Sequence, residues 1–202
     1  MTINDKKYSL SDKNYIKEET IKKQIVIGHT FSSEMKHFHG WNLRLNGSYN
    51  KTSAFTISSN GHIYQHFDPI YTSNILETNE LNNKSIVILI ENDGWLIKDD
   101  KKNRFINWVG DIYNKPESVV EKRWRGNNYW APYSEKQLTS AIELCDMLCK
   151  EFYIEKFAIP HNTKIDNLDG FEGVIYRSNL EKYYTDLSPA WNFEKFKFEL
   201  EK

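Results

Sequence analysis

Hydrophobic positions along this chain fall into short blocks rather than one sustained period. Residues 24–29 (QIVIGH) and 85–91 (SIVILIE) are continuous, largely β-branched runs of the kind that fills a strand buried on both faces. Asn92-Asp93-Gly94 stops the second run. Between them, residues 52–67 (TSAFTISSNGHIYQHF) alternate apolar and polar on either side of Asn60-Gly61. Both residues of that dipeptide tolerate positive φ, so the segment predicts a β-hairpin. Ser134 opens the clearest helix, because Ser134 and Gln137 have capping-box spacing and Leu138, Ala141, Ile142, Cys145, Leu148 and Phe152 fall on one helical face. Residues 157–161 (FAIPH) predict another short strand that Pro160 ends, and the tail turns at Ser188-Pro189 before a short closing helix.

Residues 1–23 are polar and aperiodic, and read as an N-terminal arm ahead of a domain spanning 24–202. From about 97 to 131 the chain is aromatic and charged without period. That is long for a loop in a compact domain, so it reads as a folded insertion or a lid. Strands and helices are mixed around a hairpin and a central apolar strand. The expected class is α/β (α+β), a single domain with a central mixed β-sheet flanked by helices.

Composition narrows the function classes. The hydrophobic share is 39% of 202 residues, but aromatic residues make up 14%, so much of the buried surface comes from Trp, Tyr and Phe. Lys+Arg 27 against Asp+Glu 28 leaves a net charge of -1, which argues against a general nucleic-acid or anionic-membrane binder. The one tight cationic run, Lys122-Arg123-Trp124-Arg125, reads as a solvated surface around a packed Trp, with contact to an anionic or sugar ligand as the sharper alternative. Cys145 and Cys149 are too few for a disulfide scaffold and sit at i,i+4 in the helical pattern, as small core residues of a reduced protein. No apolar h-region opens the chain and no stretch approaches the roughly 18 apolar residues of a membrane span. The expectation is a chain without a secretory signal or a membrane span.

Candidate chemistry sits at predicted strand ends. His29 and His161 each close a buried run, where open sheets present ligands, and with Asp186 on a late turn they make a His/His/Asp zinc set with an open fourth position. Taken alone, a strand-end histidine is more often a hydrogen-bonded structural residue. His37 and His39 flank Phe38 as an H-x-H pair without a nearby third ligand, and His62 and His66 are too far apart along a strand for one metal. Glu91 ends the central strand, as a general base on a bound water or as an acid at the edge of the core. Lys164 and Tyr184 are donors available to an oxyanion.

Taken in order, IVIGHT at 25–30, FTISSNGHIYQHF at 55–67, SIVILIENDGWL at 85–96, YSEKQLTSAIELCDMLCKEF at 133–152, IPHNTKI at 159–165 and TDLSPAW at 185–191 resemble the zinc-dependent N-acetylmuramoyl-L-alanine amidase family, which shares its fold with peptidoglycan recognition proteins and amidase-type phage lysozymes. The resemblance implies a zinc-bearing groove for the glycan–peptide junction. Carried over by motif, it makes His161 and Asp186 the second and third zinc ligands. Gly28 occupies the place of the first ligand, His29 takes the next, and a bulge at Gly28 would re-aim His29. Leu89 stands where relatives carry the catalytic glutamate, with Glu91 two residues further along the same face. Tyr184 holds an oxyanion-donor position, and Ser53 the hairpin place where some relatives have a tyrosine.

The resemblance therefore implies a peptidoglycan hydrolase cutting between N-acetylmuramic acid and L-alanine. Its zinc would be held by His29, His161 and Asp186, with Glu91 and Tyr184 as catalytic groups and Ser53, Lys164, Trp124 and Trp130 against substrate. The alternative is a zinc-free module that binds muropeptide without cutting it, or such a module within a phage or injection device. Gly28, Leu89 and Ser53 motivate it, and the aromatic insertion would supply the sugar-stacking surface.

Overall fold

The computed structural model describes residues 1–161, 163, 170–180 and 182–202. Its core is a six-stranded sheet in the order β1-β4-β3-β5-β2-β10. The strands are β1 (Ile3–Asn4), β2 (Gln24–His29), β3 (Phe55–Ile57), β4 (Ile63–Gln65), β5 (Ser85–Ile90) and β10 (Gly173–Tyr176). All neighbouring pairs are parallel except β3 and β4, so the sheet is mixed. Every residue of β2, β5 and β10 is buried, which is why these strands read as unbroken apolar runs.

The hairpin forms where expected, with a loop longer than Asn60-Gly61 alone. Ser58 N–H still donates to the His62 carbonyl, so residues 59–61 make a three-residue turn with Gly61 at φ 85°. A Cβ at Gly61 would also lie 2.9 Å from Lys136, because the turn abuts the start of the long helix α3 (Glu135–Phe152). That helix carries the predicted box: Ser134 Oγ accepts Gln137 N–H at 3.1 Å, and Gln137 Oε1 accepts Ser134 N–H at 2.9 Å. Leu138, Ala141, Leu144, Cys145, Leu148 and Cys149 are buried, while Ile142 and Phe152 are only half-buried, so the core face is rotated towards Leu144. Both cysteines are free and buried. Helix α5 (Phe193–Leu200) closes the chain against α3, its Phe196 and Leu200 in the core.

Two segments differ from the sequence pattern. Residues 157–161 form no strand; Ala158 makes a single parallel bridge to Val174, and the neighbouring strand is β10 instead. The second is a short helix, α1 (Lys36–Leu43), where the pattern gave none. Helix α2 (Asn79–Lys84) leads into β5 and α4 (Arg177–Leu180) follows β10 directly.

The segment without period is a second sheet, in the order β7-β6-β9-β8, antiparallel throughout. It consists of β6 (Trp95–Asp99), β7 (Arg104–Ile106), β8 (Val120–Trp124) and β9 (Asn127–Trp130). Residues 1–23 run along the main sheet, pairing at β1, at the Ile16–Thr72 bridge and through Leu10 N–H to the His66 carbonyl.

Candidate functional site

Because β2, β5 and β10 are parallel, their carboxyl ends open on one side, and the candidate residues gather there. Gly28 and Leu89 pair in register and share a face. What covers that face is Asp186 and Arg177. A Cβ on Gly28 would lie 2.5 Å from Asp186 Oδ2, 2.7 Å from Arg177 Cδ and 3.2 Å from Leu89 Cδ2. The absence of a side chain at Gly28 is thus what allows this carboxylate and this arginine to close on the strand.

Asp186 has 0% exposure. Its Oδ2 accepts the His29 backbone N–H at 3.2 Å and lies 3.4 Å from Arg177 Nη1. The Ser178 N–H donates to the Asp186 carbonyl at 2.6 Å, which fixes the late turn beside α4. Arg177 also stacks over the Tyr184 ring, 4.2 Å from its centroid. The Tyr184 hydroxyl donates to Glu77 Oε1, so this expected oxyanion donor is engaged away from Asp186.

His29 contributes its backbone to that face and its imidazole elsewhere, as strand alternation requires. Nδ1 shares a 2.7 Å hydrogen bond with the Tyr133 hydroxyl, the ring stands edge-on to Phe31 at 4.1 Å, and Nε2 is buried without a partner among the described residues. Burial pushes its pKa down to about 4, with the Asp186 charge opposing and the Arg177 charge assisting. His29 is therefore a neutral imidazole near pH 7.

His161 lies between two aromatic rings, stacked on Phe193 at 3.7 Å and tilted against Trp124 at 5.0 Å. Both ring nitrogens are buried without a hydrogen-bond partner among the described residues. Burial, then the charges of Lys122 and Arg125, lowers its pKa to about 4. Trp124 and Arg125 come from the insertion, at the β8–β9 turn, where Arg125 has φ 46° and Gly126 φ 81°. Arg125 donates to the Ser178 carbonyl at 2.7 Å and to the Tyr184 carbonyl, so the tip of the second sheet is fastened over the α4 turn. The cationic run expected to be plain solvated surface supplies this fastening.

Other expected site residues are placed elsewhere. Glu91 has 5% exposure, and its two oxygens accept the Met35 and Ser59 backbone N–H groups at 2.6 and 2.8 Å. That occupies both of the oxygens a general base would use. Ser53 is buried and donates to the Phe55 carbonyl at 2.9 Å. Trp130 is fully buried, donating to the Lys122 carbonyl and packing on Trp124, as core of the second sheet. Lys164 lies outside the described residues. Arg177 was not anticipated; the one signal for it was a glycine inside a β-branched run, which marks a close approach by other groups.

The residues present do not fit a zinc ion. Gly28 offers no ligand, the His29 ring points to Tyr133, and a metal at Asp186 would meet the Arg177 guanidinium already paired there. Among the described residues no group of three or more His, Cys, Asp or Glu side chains is gathered to hold a metal. The arrangement can instead present a buried carboxylate paired with Arg177, and an aromatic-walled histidine against the hairpin whose Arg125 is bonded to the 178 and 184 carbonyls.

The sequence profile described as N-acetylmuramoyl-L-alanine amidase matches residues 18–169. No curated protein sequence matches the chain. Among solved structures, the fold is similar to the N-acetylmuramoyl-L-alanine amidase LysC from Clostridium intestinale, with TM-score 0.55 and 13% identity over 99% of this chain and 97% of that one. A mutant endolysin from Bacillus subtilis gives TM-score 0.57 and 15% identity over 99% of both chains. The Escherichia coli amidase AmiD, solved with anhydro-N-acetylmuramic acid-L-Ala-D-gamma-Glu-L-Lys, gives TM-score 0.58 and 14% identity over 91% of this chain and 59% of that one. No helix among the described residues is long and apolar enough to cross a membrane. With its profile matched over most of its length, this chain belongs to the N-acetylmuramoyl-L-alanine amidase family, a family of amide hydrolases.

Proposed function

We propose that this chain is directed at peptidoglycan and takes the junction between the muramic acid lactyl group and L-alanine at the carboxyl ends of β2, β5 and β10. The observation that supports this is the placement of Asp186, buried on the Gly28 face of β2 with the Trp124 hairpin alongside, in a chain whose profile is that of the amidases. The complexed AmiD structure supports the ligand class, since its bound molecule contains that junction. The β8–β9 hairpin that carries Trp124, held by Arg125 to the Ser178 and Tyr184 carbonyls, forms one wall for the sugar. The 185–188 turn and the His161 ring flank the amide.

Family membership makes cleavage of the amide the first reading. A second, capture without cleavage, is favoured by Gly28 and Leu89, which leave the groove face of two adjacent strands without a metal ligand or a carboxylate. Incubating the protein with purified sacculi, then measuring soluble stem peptides by mass spectrometry and sacculus-bound protein by sedimentation, tests both. Released stem peptides establish hydrolysis. Bound protein with no released peptide establishes capture, and neither binding nor release sinks the proposal.

A further inference from the structure

We infer that Arg177 is the resident cation of this site: its guanidinium does for Asp186 what a metal ion would do, and the chain binds no zinc. Three observations converge. The space a ligand side chain at residue 28 would need is taken, with Asp186 Oδ2 and Arg177 Cδ within 2.7 Å of a Cβ built there. Asp186 is fully buried and Arg177 nearly so, with Nη1 3.4 Å from Oδ2, so in this low-dielectric setting the guanidinium supplies a close opposite charge to a carboxylate whose Oδ1 has no hydrogen-bond partner among the described residues. The surroundings hold Arg177 in place, through the Tyr184 ring beneath it and the Ser178 N–H bond that draws the 186 turn onto α4. A dication added beside this guanidinium would meet like charge next to a carboxylate with no exposed surface.

The glycine and the arginine are thus two halves of one replacement. Without a side chain at 28, the arginine has room; with the arginine, the carboxylate has its counter-ion. This inference holds whether the chain cleaves or captures peptidoglycan, and its test needs no wall substrate.

The test is zinc stoichiometry by elemental mass spectrometry after equilibration with excess zinc and gel filtration, together with Tm in EDTA and in zinc. The native protein is expected to retain essentially no zinc and to show the same Tm in both. Retention of about one zinc per chain, with Tm falling in EDTA, overturns the inference. Gly28→His/Arg177→Ala, which removes the cation and the Arg177 Cδ contact and leaves Asp186 Oδ2 as the close neighbour of the new side chain, is expected to retain about one zinc and to gain Tm when zinc is added. Arg177→Ala alone requires no new space and covers the case in which the double variant does not fold. It is expected to lower Tm by on the order of 10 °C, because it strands a buried carboxylate. Adding Asp186→Asn to it should recover part of that loss. An unchanged Tm in Arg177→Ala overturns the pairing on which the inference stands.

Discussion

The Glu91 carboxylate accepts the Met35 backbone N–H at 2.6 Å, and so ties the end of the central strand to the start of α1. Its other oxygen holds Ser59 N–H in the hairpin turn, 32 residues away in sequence. One acid thereby fastens two loops to the end of the central strand. Glu91→Ala leaves two N–H groups without their charged acceptor and is expected to cost about 2–4 kcal/mol of stability. Urea unfolding measures it. Native stability in that variant would show that the carboxylate is not a structural tie.

His37 and His66 both reach the Thr56 hydroxyl, at 3.1 and 2.8 Å, and His66 Nδ1 also bonds the Tyr8 carbonyl at 2.7 Å. Burial pushes their pKa values down to about 3 and about 4, from an ordinary 6.5. Between pH 6.5 and those values the unfolded chain binds protons that the folded chain refuses, so stability falls as pH drops through this window. For His66 the loss from pH 7 to pH 4 is on the order of 3 kcal/mol. Unfolding free energies at pH 7, 5.5 and 4.5 should decline, and His66→Gln should flatten the slope. An equal slope in that variant would contradict the assignment.

Lys22 is 3% exposed, with its ammonium bonded to Thr20 Oγ1 and the Asn83 carbonyl, and burial lowers its pKa to about 8. The unfolded chain keeps that proton up to about pH 10.4, so this lysine makes folding less favourable at neutral pH and its penalty fades as pH rises from 8. Lys22→Met is accordingly expected to raise stability at pH 7 by on the order of 2 kcal/mol. A loss of stability in that variant would show that the two hydrogen bonds outweigh the burial of charge.

Much of the architecture is legible in local chemistry. The two buried runs, the glycine turn and the capping box each carry a signal within about ten residues, and each element forms where that signal lies. Strand β10 escaped because Gly-Val-Ile-Tyr is too short to show a period, and its pairing partner β2 is remote in sequence. Residues 157–161 misled in the other direction: Ala158 and Ile159 serve the core while Phe157 is exposed, and only Ala158 reaches a strand. At the site, segment order led to the strand end where Gly28 and Asp186 meet. The occupant of that space, Arg177, lies in a four-residue helix with no pattern of its own, and its distance from Asp186 is a product of tertiary packing. The second sheet was hidden for a related reason, since its strands are only half-covered and alternate weakly.

The two-residue strand β1 also bears on how the molecule behaves in a crowd. It lies along β4, while Ala158 and its neighbours lie along β10, so short segments shield both margins of the main sheet. Exposed margins of this kind recruit strands from other molecules. Trimming residues 1–9 would uncover β4, and the first symptom would be self-association at high concentration rather than loss of the groove.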